Sequence, residues 1–180
     1  LTAQQVATLS SYQLEGLSTA QIAALSADGI SGLTTAGMAT FSTADIAAIG
    51  PSAIRGLKTA IIAGLTTDDI KVLTPAQVGG LGYNQIATLT TAQVDALSTM
   101  QLGALNAIQT AALGTDDIAL FTTEDIAALG TSGVAGLTTS VIAALTTAQS
   151  EALTPAQVGA LTASQVGSLS KDNIAKFSTA

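Results

Sequence analysis

An eight-residue frame runs through all 180 residues without an insertion or a deletion. With Leu1 as position 1, that position is Leu in nineteen of twenty-three cases, and the exceptions Phe41, Ile49, Phe121 and Phe177 are apolar. Position 6 is aliphatic or Met in twenty of twenty-two octads, failing only at Thr110 and Ser150. Position 2 is Ser or Thr in seventeen of twenty-three, and position 5 is Gln eleven times and Asp four times. A chain held to this period has to begin and end each element within about eight residues. Neighbouring repeats must then supply the contacts that a single unit lacks.

Each position has a physical reading. A Ser or Thr followed three residues later by Gln is a capping box, in which each side chain satisfies an orphan backbone N–H at a helix start. Asp at position 5 is a shorter, charged variant, and Gly or Asn at position 2 is an accepted N-cap. Pro51, Pro75 and Pro155 all fall at position 3, the first helical residue, where proline loses no hydrogen bond. The apolar residues at positions 1 and 6 are placed as a hydrophobic staple. Nine of the twelve acids (Asp28, Asp45, Asp68, Asp69, Asp116, Asp117, Glu124, Asp125 and Asp172) sit at positions 4 or 5. That is the first turn, at the positive end of the helix dipole. The spacing therefore predicts a new helix over positions 3 to 8 of every octad.

Helices this short are unstable alone, because isolated helices below about 12–15 residues are marginal in water. The expected fold is an all-α solenoid, one short capped helix per octad, continuous over residues 1–180 as about 22 repeats of a longer array. Six helical residues advance ~9 Å, and two extended ones add up to ~7 Å, so each octad is one edge of a prism-like rod. Three edges per coil enclose a space that Leu and Ile side chains fill; four would be wide for a chain with 3% aromatic residues. Ala and Gly at positions 7 and 8, among them Gly16, Gly32, Gly56, Gly64, Gly80 and Gly136, would let coils approach closely. The alternative is a β-solenoid, favoured by the Ala-Ile-Ala alternation at positions 4, 6 and 8. It is opposed by Ala, Gln and Asp, which are poor strand residues. A longer period is also present: FSTADIAAIG at Phe41 returns as FTTEDIAALG at Phe121, and LTPAQVG at Leu73 returns at Leu153. Both shifts are eighty residues, as from duplication of a gene segment or from a superhelical repeat.

Composition narrows the function. Twelve acids against five bases leave a net charge of −7, which disfavours contact with nucleic acid or with an anionic lipid surface. There is no Cys and no His, so thiolate chemistry is impossible and the commonest general base and metal ligand is missing. The mean hydropathy is +0.53, yet Ser, Thr, Gln or Asp interrupts every octad, and no run of 18 apolar residues indicates membrane insertion. No phosphate loop and no activated nucleophile is recognisable. Catalysis and bound cofactors are therefore not expected.

Two patterns carry ligand hypotheses. The adjacent acids Asp68 and Asp69, Asp116 and Asp117, and Glu124 and Asp125 could contribute oxygens to calcium; as first-turn residues they also simply complement the dipole. Thr fills more than half of the position 3 sites, which on a rigid rod would form the hydroxyl rows of an ice-binding face.

LTPAQVG resembles the opening of TAL-effector repeats, but the likeness ends after about six residues and carries none of that family's base-reading positions. The pattern L-[ST]-x-x-Q-[IV]-x-x over the whole chain resembles tandem octapeptide arrays of very large bacterial surface or secreted proteins, labelled adhesin-like or heme-utilisation proteins. That resemblance implies an extracellular structural region, a rod, stalk, filament or surface layer that associates with copies of itself. The heme label gains nothing here, since His, Cys and an aromatic cluster are missing.

Overall fold

The computed structural model describes residues 1–177; the frame's last expected cap and hydroxyl, Ser178 and Thr179, lie outside them. The described residues form twenty-one short α-helices and one 3-10 helix, with no strand among them. The chain divides into two compact units, Leu1–Ala96 and Leu97–Ala180.

In the first unit the first coil holds α1 (Ala3–Ala7), α2 (Ser11–Glu15) and α3 (Thr19–Ala23). The second holds α4 (Ala27–Ser31), α5 (Thr35–Met38) and α6 (Thr43–Ala48). The third holds the 3-10 helix Ile54–Gly56, α7 (Thr59–Ala63) and α8 (Thr67–Val72). The fourth holds α9 (Pro75–Gly80), α10 (Tyr83–Ile86) and α11 (Thr91–Asp95). Packing defines the coil: each element lies on the one three octads later. Thus α1, α4, the 3-10 helix and α9 form one stack, α2, α5, α7 and α10 a second, and α3, α6, α8 and α11 a third.

The second unit repeats the scheme. It runs α12 (Thr99–Gly103), α13 (Ala107–Thr110), α14 (Thr115–Ile118), α15 (Thr123–Ala128) and α16 (Thr131–Gly136). It continues with α17 (Thr139–Ala144), α18 (Thr147–Glu151), α19 (Pro155–Ala160), α20 (Ala163–Ser168) and α21 (Lys171–Phe177). Its stacks are α12, α15, α18 and α21; α13, α16 and α19; and α14, α17 and α20. Three octads, not four, make a coil in both units, and the β-solenoid alternative is excluded.

Local geometry follows the caps. Ser18 is extended (φ −73°, ψ 155°), its side chain accepts from Gln21 N–H, and the Gln21 side chain accepts from Ser18 N–H, closing the box. The carbonyl of position 2 receives the amide of position 6, as from Ile22 to Ser18 at 3.0 Å. The amide of position 1 then closes the last turn on the carbonyl of position 6, as from Leu25 to Ile22 at 3.0 Å. Two to four residues separate most consecutive helices, and no described residue has a positive φ. Helices therefore end without left-handed glycine caps.

The core is built from positions 1 and 6. Ile22, Ile30, Ile54, Ile62 and Ile70 have no exposed surface, and Leu33, Ile49, Leu57 and Leu81 nearly none. Octad 7 departs from the expected helix. Pro51 lies in a turn before the 3-10 helix, while Pro75 and Pro155 open α9 and α19 as expected. Neither Gly50 nor Ala53 carries a capping side chain, and Ala53 N–H takes the tighter i−3 bond to Gly50 at 2.9 Å.

Glycine serves close approach at some positions and not at others. A Cβ on Gly32, Gly56 or Gly80 would stand within 2.2 Å of the carbonyl oxygen of Ala3, Ala27 or Pro51 in the coil below. Gly136 meets Ala107 in the same way. At Gly16 and Gly64 the nearest atoms belong to the preceding turn at ordinary contact distance, so the expectation of close coil approach fails at these two. Local packing against the coil below, not the place in the octad, makes the difference.

Candidate functional site

The recurrent polar feature of the interior is the position 5 glutamine. Gln77 Oε1 accepts the Thr74 amide at 2.6 Å, which is the expected capping bond. Its amide nitrogen reaches back to the end of α6, donating to Ile46 O at 2.9 Å and Ile49 O at 2.7 Å. Gln85 treats Ile54 O and Leu57 O in the same way (3.0 and 2.7 Å), and Gln93 treats Ile62 O and Leu65 O (3.0 and 2.7 Å). In the second unit Gln149, Gln157 and Gln165 bind the corresponding pairs, Ile118 and Phe121, Ile126 and Leu129, and Val134 and Leu137. Asn173 retains one such bond, to Leu145 O at 2.9 Å. One side chain thus caps its own helix and satisfies the orphan carbonyls at another helix end. All six of these glutamines are buried. Gln5, Gln13 and Gln21, in the first coil, make only the capping bonds and are exposed.

Asp at position 5 can accept the capping bond but has no hydrogen to donate. Asp69, Asp117 and Asp125 accept the amides of Thr66 (2.8 Å), Gly114 (2.9 Å) and Thr122 (3.0 Å). Asp68, Asp116 and Glu124 beside them are exposed. Asp68 pairs with Lys71 at 3.0 Å, a contact open to solvent on both sides and worth at most about 1 kcal/mol. The Glu124 carboxyl is held below the ordinary glutamate range by its own backbone N–H, and next by the Thr123 hydroxyl, which donates to it at 3.0 Å. Among the described residues no three acidic side chains converge as a metal centre would require. Each proposed pair stays in the first turn of its own helix.

The position 3 threonines do align. Thr19, Thr43, Thr67 and Thr91 open α3, α6, α8 and α11 of one stack, and Thr99, Thr123 and Thr147 open α12, α15 and α18 of another. All but Thr67 are exposed.

Two interior positions break the apolar rule. Thr110 is fully buried and donates to Gly133 O at 2.7 Å, so its hydroxyl replaces a methyl group with a bond between stacked helices. Ser150 is equally buried, and its hydroxyl has no partner among the described residues. Lys58 stands at a capping position it cannot serve; its ammonium donates instead to Leu33 O of the coil below at 3.3 Å. A cavity of about 350 Å³ in the first unit is lined by Met38, Phe41, Ile61, Leu65, Thr66 and Asp69, among others.

The residues that build this architecture are those of a named repeat. The ALTTAQ repeat profile matches residues 38–75, 46–83, 62–99, 110–147 and 118–155, overlapping spans that together cover more than half of the chain. The chain belongs to the ALTTAQ repeat family. The six letters stand at Ala144 to Gln149, and the structure gives each a place. Ala144 closes one helix, Leu145 enters the core, Thr146 caps, Thr147 and Ala148 open the next helix, and Gln149 joins it to the coil below. Tandem ALTTAQ repeats are thus what the octad frame encodes. Comparison with curated proteins gives no match. Among the described residues no helix is long and apolar enough to cross a membrane.

Proposed function

We propose that this chain is a non-enzymatic structural region, a stacked-coil rod or stalk of a bacterial surface or secreted protein that associates with copies of itself. The supporting observation is the glutamine joint. Gln77, Gln85 and Gln93 make the same pair of bonds to carbonyls 31 and 28 residues back, so one repeated contact fastens three successive octads to the chain beneath them. A unit of this kind extends by nearest-neighbour contacts without a new core design. The low charge and the lack of Cys and His accord with a role in shape and not in chemistry. Chains carrying one, two and three tandem copies of the 180-residue segment test this by small-angle scattering. The maximum dimension is expected to rise in proportion to length; a chain that collapses to constant width would overturn the proposal. Sedimentation velocity over a hundredfold concentration range tests self-association, and a single monomeric species throughout would remove that part. Labelling of intact cells with an antibody to this region tests its exposure at the surface.

The aligned threonines support a second reading, an ice-binding face, since a regular row of exposed hydroxyls is what such a face needs. Thermal hysteresis at high protein concentration decides it, and its absence ends this alternative.

A further inference from the structure

The cavity beside Asp69 has an internal counterpart that shows what its lining can bind. A shift of eighty residues carries Met38, Phe41, Ile61, Leu65 and Asp69 onto Ile118, Phe121, Val141, Leu145 and Gln149. The local structure corresponds, with α5 and α14 both ending at an alanine in the right-handed helical conformation. In the second unit the Gln149 amide nitrogen sits between Ile118 O (2.8 Å) and Phe121 O (2.9 Å). In the first unit the equivalent residue is Asp69, which brings no N–H, and the corresponding carbonyls are those of Met38 and Phe41. Phe41 O accepts no hydrogen bond among the described residues, and Met38 O accepts only the Phe41 amide, at 3.0 Å. Asp69 Oδ2 takes the Thr66 amide, and Oδ1 has no partner among the described residues. Phe41 O and Asp69 Oδ1, without a donor among the described residues, and Met38 O, with room for a second one, belong to residues that line a cavity of about 350 Å³ together with Ile61 and Leu65.

We infer that this cavity binds a primary alkylammonium group, whose N–H bonds go to Met38 O, Phe41 O and the Asp69 carboxylate while its alkyl chain lies on the apolar wall. The ammonium nitrogen takes the place that the Gln149 amide nitrogen holds in the other unit, and its charge complements the carboxylate that replaced glutamine. Three hydrogens match three acceptors. Calcium fits less well, because it requires six to eight oxygens, and a bare cation makes no use of the apolar wall.

Titration of the 180-residue protein with n-butylammonium chloride, followed by calorimetry and by amide shifts at Met38, Phe41 and Asp69, tests this directly. Saturable binding with shifts at these residues is expected. Tetramethylammonium, equal in charge but without N–H, is expected to bind at least about tenfold more weakly, the loss expected when charge-assisted hydrogen bonds cannot form. Asp69→Gln reproduces the arrangement at Gln149 and fills the site from within. It is expected to raise Tm and to weaken butylammonium binding by at least about tenfold, with circular dichroism reporting that the variant is folded. No saturable binding, equal affinity for tetramethylammonium, unchanged affinity in folded Asp69→Gln, or tighter binding of calcium chloride would each overturn the inference.

Discussion

Replacing Gln77 by Glu changes one amide nitrogen to oxygen and leaves size, shape and the capping acceptor intact. The substituted atom is the one that donates to Ile46 O and Ile49 O at 2.9 and 2.7 Å, in a side chain only 1% exposed. In the protonated acid one O–H can restore one of the two bonds, so the neutral form loses about 1 kcal/mol, the net worth of a single hydrogen bond. The ionised form would place a carboxylate oxygen against two carbonyls, and burial raises the folded-state pKa of the new group well above the unfolded value. A raised carboxyl pKa costs stability above the unfolded pKa of about 4.3, at about 1.4 kcal/mol per pH unit until the folded pKa is reached. With the folded pKa at or above neutrality the total comes to about 5 kcal/mol at pH 7 and about 2 kcal/mol at pH 5. Urea denaturation followed by circular dichroism at both pH values measures it. Gln5→Glu is the control, since Gln5 is exposed and makes only the capping bonds, and it is expected to change stability by less than about 0.5 kcal/mol. Equal effects at Gln77 and Gln5, or a Gln77→Glu cost that does not shrink at pH 5, would refute the role given to the amide nitrogen.

Other substitutions probe the remaining features. Ser150→Val removes a buried hydroxyl without a partner and is expected to stabilise the protein by about 1–2 kcal/mol, read from the urea midpoint. Gly56→Ala would put a Cβ 1.9 Å from Ala27 O and is expected to cost at least about 1–3 kcal/mol. Gly159→Ala in α19 meets nothing within 4 Å and is expected to gain about 0.5–1 kcal/mol. Glu124, with its carboxyl held below the usual range, stabilises the folded chain when ionised. That contribution is complete above the unfolded pKa and is lost as pH falls through the lower folded value. Glu124→Gln should remove this increment of acid sensitivity, and a carboxyl titration by NMR that shows no depression would contradict it.

The caps, the helix per octad and the buried positions 1 and 6 were legible because each depends on residues within one repeat. The Ser18–Gln21 box needs no knowledge of the next coil. The features that one repeat does not reveal depend on separations of 23 to 31 residues. The amide nitrogen of Gln77 finds its acceptors 28 and 31 residues back, a distance that only three octads per coil produces, so the sequence shows its capping role and not its joining role. The same packing separates Gly56, which lies against the Ala27 backbone of the coil below, from Gly64, which meets only its own helix, though both occupy position 8. Thr110 and Ser150 stand out in the frame, but only the packed structure shows that Thr110 reaches Gly133 O while the Ser150 hydroxyl finds no partner among the described residues. The acids were correctly placed in first turns. The consequence of Asp69 standing where a joining glutamine is expected emerges only beside Gln149.

A coil of three octads fixes which helices are neighbours, and distances between pairs of spin labels read this in a chain that has no Cys to interfere. Thr43 and Thr67, which open the packed helices α6 and α8, should give labels separated on the scale of neighbouring helices, about 8–10 Å between axes. Thr43 and Pro75, one octad further apart in sequence, should lie distinctly farther from each other. A shorter distance for Thr43 and Pro75 than for Thr43 and Thr67 would mean four octads per coil and would rule out the three-octad coil.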